Sequence, residues 1–393
     1  MSETAEKTAV VIVGGGVAGL ALGNFLLRSG IECVIVEKHS RDYVERRQRA
    51  GALDGRGVRM FREWGLEEVM GGSSAAPLES EGMPLRIEGE LRHWTAGWDD
   101  GEERDGAGVF CPQQVLVRNL IEVFLRDGGD LRFEAGDISL EDLDGERPLV
   151  RYRDAAGAAK VISCDFVAGC DGYQGVSRAS IPADVLTCYS HEFGYAWLAV
   201  LAEVPADPPA VMAVHSRGFA AQITRGPDAS RLYLQCPLTD TLEDWPDERI
   251  WSELAARFGE PVAVTGRIAD RQLVPLRCVV FSPMSHGRLF LLGDAAHLVS
   301  PMSAKGMSLA LRDVEVFARA VVHQIEKDDP SLLGEYSETC LKHIWDVQTF
   351  AVGVTETIHN AGDASYEGEF RKQIARTELE RMVAPAAVDR VSG

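Results

Sequence analysis

The first long apolar run, residues 8–13, is β-branched and unbroken, the pattern of a strand buried on both faces. It enters Gly14-Gly15-Gly16-Val17-Ala18-Gly19, after which the period changes. Leu20, Leu22, Phe25 and Leu26 predict a largely apolar helix over residues 17–28, stopped by Ser29-Gly30. A second β-branched run, Cys33-Val34-Ile35-Val36, predicts a strand over residues 32–37 that ends in an acid. Together these pieces make one βαβ unit.

Amphipathic helices are expected over residues 55–65, through Val58, Phe61 and Trp64, and over 114–127, through Val117, Leu120, Ile121 and Phe124. Short strands are expected at 131–133, 149–152 and 161–164, with a further strand over 164–171. Residues 73–108 are rich in Gly, Ser and charge and read as a loop or a peripheral hairpin. From Phe193 to about Ile268 the period falls to two, predicting strands at 196–202, 210–214, 220–225 and 232–237, with a helix at 247–258. Leu289-Phe290-Leu291-Leu292 then enters Gly293-Asp294-Ala295-Ala296-His297, and long helices follow at 306–326 and 336–350. The expected fold is α/β: a discontinuous Rossmann-like nucleotide domain (residues 8–188 and 270–350) interrupted by an antiparallel sheet domain. That second domain spans 189–269, with 74–106 as a candidate contributor, and 351–393 forms a C-terminal helical segment. Met1 to Lys7 reads as a frayed polar leader.

Composition narrows the function. The 393 residues carry a formal net charge of −20, which disfavours nucleic acid and anionic membrane as partners. An anionic cofactor or substrate must then be met by locally placed arginines. The eight cysteines form no C-x-x-C pair, and no signal peptide or membrane-length apolar stretch stands out, so a reducing cytoplasm is expected. No metal site is expected.

The chemistry concentrates at glycines. In Gly14-x-Gly16-x-x-Gly19 the first glycine permits the tight turn, the second admits a phosphate, and the third lets helix pack on strand. Glu37, 18 residues beyond Gly19, sits where an acid accepts ribose hydroxyls. Gly169-Cys170-Asp171-Gly172 alone reads as a turn, and Asp294 alone as a helix cap. His297 reads as a base or as a packing and capping histidine. Residues 300–307 form a loop feeding a helix, whose amides can cap an electron-rich ring edge or only connect two elements. Arg47, Arg49, Arg225 and Arg277 are candidate anion clamps, and Arg225, closing a strand, suits bidentate recognition of a carboxylate.

These motifs, with Asp42-Tyr43-Val44, Arg49-Ala50-Gly51, Ser177-Arg178, Arg217-Gly218-Phe219, Pro237-Leu238-Thr239, Pro275-Leu276-Arg277 and Ala304-Lys305-Gly306, make the chain resemble the class A flavoprotein aromatic hydroxylases of the 4-hydroxybenzoate 3-monooxygenase type. The resemblance runs from about residue 8 to 383. It implies FAD, NADPH (with NADH open) and molecular oxygen, a flavin hydroperoxide attacked by an electron-rich ring, and a homodimer. It implies that Gly14, Gly16, Gly19, Glu37, Arg47, Arg49, Gln113, Asp171, Asp294, Ala304, Lys305 and Gly306 contact FAD, with Pro301 and Met302 at the reacting ring. For NADPH it implies Lys38, His39, Tyr43, Arg47, Gln174 and Arg277, although Lys38, His39 and Gln174 depart from the family's residues.

For substrate, the resemblance implies that Arg225 and Tyr233 bind the carboxylate of a small aromatic acid, beside Met212 and Ile223. The family deprotonates a phenol through a histidine and two tyrosines. Ser80 and Met212 replace two members of that relay, and Met302 replaces a neighbouring threonine. An arylamine needs no ionisation to activate its ortho position, so an amino- or aminohydroxybenzoate such as 3-amino-4-hydroxybenzoate is expected. The alternative is 4-hydroxybenzoate with a differently built relay. A flavin-dependent halogenase, which lacks support from any Trp-x-Trp-x-x-Pro-like element, and a non-catalytic flavin-binding protein are remoter alternatives.

Overall fold

The computed structural model describes residues 5–47, 51–71, 76–77, 83–94, 108–259, 265–359 and 366–383. It divides into two compact units. The first comprises Met1–Leu78, Glu102–Ser190 and Cys278–Gln348, the second Glu79–Gly101, His191–Arg277 and Thr349–Gly393.

The first unit is built on parallel strands in the order Leu289–Leu291, Ala159–Gly169, Glu6–Val13, Cys33–Val36 and Asp130–Arg132. Val10, Val11, Ile12 and Val13 are at most 1% exposed, so both faces of the central strand are covered. The helix Val17–Arg28 packs against Gly306–Lys327 and Gln113–Arg126. An antiparallel extension, Leu149–Arg153 and Gly136–Glu141, continues from the near end of Ala159–Gly169.

The second unit holds a mixed sheet in the order Ile268–Ser282, Thr187–Ala202, Ser230–Pro237, Ala220–Thr224, Ala210–Val214, Met83–Ile87 and Glu90–Trp94. The unit boundaries fall inside the first two of these strands. One sheet face packs on the helix Asp247–Phe258 through Leu198, Val200, Leu232, Leu234, Ile250, Leu254 and Phe258. Alternation along Ser230–Pro237 sends Arg231, Tyr233 and Gln235 to the opposite face.

Several expectations shift. The strands expected at 161–164 and 164–171 are one strand, Ala159–Gly169. Asp165, which looks like a break, is at the surface and pairs with Arg147 at 2.7 Å. The second sheet is not purely antiparallel, since Met83–Ile87 runs parallel to Ala210–Val214. That hairpin enters from far upstream in the chain, so no tight turn constrains its direction. Strand Thr187–Ala202 begins before residue 196, where its exposed residues carry no hydrophobic alternation. Ile268–Ser282 is half-exposed along its first part and contains Pro275, so it does not read as a strand. The frayed leader shortens too, because Glu6 and Lys7 pair with Ile162 and Ser163. The helix expected at 336–350 runs on to His359, and a further helix, Tyr366–Met382, follows.

Candidate active site

Four sequence motifs meet at one edge of the first sheet. Strands Leu289–Leu291, Ala159–Gly169, Glu6–Val13 and Cys33–Val36 are parallel neighbours, with Leu291 opposite Gly169, Gly169 opposite Val13, and Val13 opposite Val36. Their carboxyl ends therefore present Gly293-Asp294, Cys170-Asp171-Gly172, the Gly14–Gly19 turn and Glu37 side by side. Backbone hydrogen bonds continue the register past the strands: Gly14 N–H to Val36 O (2.8 Å), Cys170 N–H to Val13 O (2.8 Å) and Leu292 N–H to Gly169 O (2.9 Å). A crevice beyond the carboxyl ends of parallel strands is where open α/β sheets bind nucleotides.

The glycine turn fits a dinucleotide by a geometric test. Gly14 has φ +109°, and a Cβ there would lie 2.4 Å from Cys170 O. Gly19 is as crowded, its Cβ falling 2.0 Å from Gly14 O. Gly16 differs: a Cβ would meet nothing within 4 Å, so that side of the turn is open. The helix that starts there has no side-chain cap and no acid in its first turn, leaving its N–H groups for an anion.

Glu37 is buried and already engaged. One carboxylate oxygen accepts from Gly15 N–H at 2.7 Å, and the other meets His39 N–H (2.8 Å) and His39 Nδ1 (2.7 Å). His39 stacks on the exposed Tyr43 ring at 4.2 Å, and Lys38 is exposed beside them. Arg47 and Gln174 are exposed, Gln113 opens the helix Gln113–Arg126, and Arg277 belongs to the second unit. Asp171 accepts from Ser177 N–H (2.8 Å) and Oγ (3.0 Å), while its Oδ1 is buried with no hydrogen-bond partner among the described residues. Burial pushes its carboxyl up against the pull of those Ser177 bonds.

Gly293 and Asp294 lie in a short 3-10 turn whose first N–H donates to Asp313 Oδ2 at 2.9 Å. The same oxygen lies 2.7 Å from His297 Nε2, and both side chains are at most 2% exposed. Of the two readings of His297, the structure supports packing over free base. Burial alone lowers its affinity for a proton, but the Asp313 carboxylate outweighs this, with help from Asp294, and raises it above the ordinary histidine range. Asp313 carried no recognisable motif, since an acid inside an amphipathic helix reads as surface charge.

A group held above its unfolded value stabilises the fold fully below about pH 6.5 and loses that contribution as pH rises through the folded value. Replacing His297 with asparagine should therefore cost most stability near pH 6 and less as pH climbs toward 9. Urea titrations across that range check this, and a cost that grows with pH overturns it. Asp313→Ala, which strands a buried charge, should cost roughly 3–5 kcal/mol.

Downstream, Ser300 and Pro301 open a 3-10 turn, Pro301–Ser303, fastened by Ser303 Oγ donating to Ser300 O at 2.8 Å. Ala304 takes a left-handed φ of +53°, and Gly306–Lys327 then starts with no side-chain cap. Pro301 is exposed, Met302 and Lys305 are buried, and Ala304 and Gly306 are half-buried. A second helix start thus has no side-chain cap, the disposition that stabilises negative charge.

In the second unit, the sheet face away from the core carries residues expected at the acid site. Tyr233 stands opposite Ala199 and Ala221, and Met212 opposite Ala221. Ile223 lies across from Arg231 and Ala210. Arg225 closes the adjoining turn, its N–H donating to Ala229 O at 2.7 Å and its Nη1 to Thr224 O at 3.1 Å. Burial lowers its pKa, as does like-charged Arg231, with Tyr233 as the opposing influence. No carboxylate among the described residues pairs with Arg225. Arg49 and Ser80 lie outside the described residues. Among the described residues no His, Cys, Asp and Glu cluster has metal-site geometry, and no helix is long and apolar enough to cross a membrane.

The family described as FAD binding domain matches residues 7–351. The p-hydroxybenzoate hydroxylase of Acinetobacter baylyi is 35% identical over 386 residues, covering 97% of this chain and 93% of that protein. A probable NADH-specific resorcinol 4-hydroxylase of Rhodococcus jostii is 25% identical, over 85% of this chain and 62% of its own length. Among solved structures, p-nitrophenol 4-monooxygenase from Pseudomonas putida superposes with a TM-score of 0.78 at 19% identity, covering 96% of each chain, which speaks to the fold. A dinucleotide crevice on parallel strand ends, under a family match spanning most of the sequence, identifies the chain as a member of the FAD-dependent aromatic hydroxylases, monooxygenases that work with FAD, a reduced nicotinamide and molecular oxygen.

Proposed function

We propose that this monooxygenase hydroxylates a benzoate-type aromatic acid whose carboxylate is held by Arg225 and Tyr233. The observation that carries the proposal is Arg225 itself. It is a half-buried guanidinium with no carboxylate partner among the described residues, set next to a phenol hydroxyl. A desolvated cation without a counter-ion is costly unless an anion arrives to complete it.

The ring substituent we propose is an amine, as in an aminohydroxybenzoate, hydroxylated ortho to nitrogen. Met212 is 3% exposed and lies in the same cross-strand row as Tyr233, and Ile223 is its apolar neighbour one position along. Neither can pass a proton. His359, buried in the same unit, has both ring nitrogens occupied and is held neutral by burial, with a pKa down at about 3. An amine lone pair activates the ring without such a relay. A second reading, 4-hydroxybenzoate, is favoured by the 35% identity to a p-hydroxybenzoate hydroxylase.

Bound FAD supplies electrophilic oxygen to the ring at the expense of the nicotinamide. Gly14, Gly16, Gly19, Glu37, Gln113, Asp171 and Asp294 would hold it, with the loop from Pro301 to Gly306 against its ring system. For the nicotinamide we propose NADPH, drawn by Lys38, Arg47 and the His39–Tyr43 stack, which comparison of kcat/KM for the two nicotinamides checks. The substrate test is a panel of hydroxy-, amino- and aminohydroxybenzoates scored for stimulated nicotinamide oxidation, with the product identified. Aminohydroxybenzoates should give the highest kcat/KM with product matching nicotinamide consumed. Turnover of 4-hydroxybenzoate alone overturns the amine, and stimulation by no benzoate overturns the acid reading altogether.

A further inference from the structure

We propose that His359 is a positioning residue for acid recognition, holding the Trp197 indole against Tyr233 and so fixing where the phenol hydroxyl stands. The proposal rests on the reading that Arg225 and Tyr233 bind a carboxylate.

His359 ends the helix Tyr336–His359 and is 2% exposed. Its Nδ1 lies 2.8 Å from the Thr355 carbonyl oxygen, which can only accept, so Nδ1 carries the hydrogen. Its Nε2 lies 2.7 Å from the Trp197 indole nitrogen, which can only donate, so Nε2 is a bare lone pair. The two contacts demand one neutral tautomer. A protonated ring would oppose two hydrogens at Trp197, and burial keeps the ring neutral throughout the working pH range.

Further contacts lock the same position. The His359 carbonyl accepts from Gln235 Nε2 at 3.0 Å, and Gln235 Oε1 accepts from Phe219 N–H at 2.9 Å. Tyr195 stacks on the imidazole at 5.0 Å and 8°, while Phe219 packs on it at 4.8 Å. Trp197, 5% exposed, therefore has no free rotamer to visit. Its ring lies 5.3 Å from Phe219 and 4.7 Å from Tyr233. Tyr233 in turn stands close enough to Arg225 to favour its protonated form. The chain of contact runs from helix end to indole to phenol to guanidinium without leaving the second unit.

The arrangement makes His359 a hydrogen-bond acceptor toward Trp197 and not a proton carrier. Deleting its lone pair leaves the indole N–H buried and unpartnered, which displaces the indole rather than any charged group. The effect should appear in acid affinity, not in FAD content.

The test uses FAD-loaded enzyme titrated separately with 4-hydroxybenzoate and 3-amino-4-hydroxybenzoate, followed by the change in flavin absorbance. His359→Phe should weaken the better-bound acid by roughly 5- to 30-fold, with FAD content and KM for the nicotinamide unchanged. His359→Gln, whose amide oxygen can accept from the indole, should recover most of the loss. Trp197→Phe should weaken binding similarly, and adding His359→Phe to it should weaken binding no further. Additive losses, no recovery in His359→Gln, or wild-type affinity in His359→Phe or Trp197→Phe overturns the proposal. If His359→Phe does not fold, Trp197→Phe and His359→Gln still decide. A wild type that binds neither acid overturns the carboxylate reading first, and this proposal with it.

Discussion

Replacing Arg225 with methionine should weaken binding of a benzoate-type acid by about 100-fold or more, yet leave the ligand-free protein as stable as before or slightly more so. The two effects have opposite signs because they arise in different states. Without ligand, the guanidinium sits in partial burial beside like-charged Arg231, and burial already lowers its pKa. Its protonated form is thus disfavoured relative to water, with Tyr233 as the offsetting partner. Methionine keeps the apolar stem and removes that desolvation cost. With ligand, a charge-assisted hydrogen bond is worth about 1.5–3 kcal/mol, and a forked pair roughly twice that, which is about 100-fold or more in affinity.

Arg225→Lys separates charge from geometry. An ammonium preserves the charge and forfeits the fork, so the loss should be about 10-fold. Acid titrations and urea denaturation on the same samples read both effects. A methionine variant that keeps its affinity within about threefold defeats the assignment of Arg225. One that loses several kcal/mol of ligand-free stability shows that the guanidinium is a structural tie instead.

How far this arrangement could be read from the chain depends on where local pattern and tertiary placement agree. Helix Val17–Arg28 and strand Ala210–Val214 have the expected bounds, because a glycine stop and a clean alternation leave one local solution. Asp171 and Asp294 are weak signals alone; parallel register brings them to neighbouring strand ends, which no spacing rule predicts. Strand Ile268–Ser282 escaped notice because half of it faces water and carries a proline.

The buried polar groups that sequence reasoning missed share a physical cause. Asp313 on its helix, and His359 with Trp197, are polar groups satisfied by partners distant in sequence, so nothing nearby marks them. An acid within an amphipathic helix looks like surface, and a histidine at a helix end looks like a cap. Only burial and distance distinguish a surface charge from a group that fixes a glycine turn. A histidine adjoining a functional motif was conspicuous, by contrast, and its two readings separated as soon as the Asp313 contact was visible.

The glycine turn, the strongest sequence signal, contains two kinds of glycine, and alanine should tell them apart. At Gly19 a methyl group would fall 2.0 Å from Gly14 O and 3.1 Å from Ile12 Cγ2, so backbone must move. Gly19→Ala should cost at least about 3 kcal/mol, the upper range of overpacking, whether FAD is present or not. At Gly16 the methyl meets nothing within 4 Å, and φ −81° with ψ −174° is extended backbone open to any residue. Gly16→Ala should leave the apoprotein within about 1 kcal/mol of wild type, since only a modest N-cap preference changes. If the open side of Gly16 is where the pyrophosphate comes close, the methyl stands in its path, and FAD should bind roughly 100-fold more weakly. Linkage then requires the holoenzyme to lose about 2.7 kcal/mol at saturating cofactor while the apoenzyme loses almost nothing. Urea midpoints for apo and reconstituted protein, with FAD affinity from fluorescence quenching, measure each quantity separately. A Gly16→Ala protein that retains FAD at wild-type affinity places the pyrophosphate elsewhere and removes the bare helix start from the cofactor site.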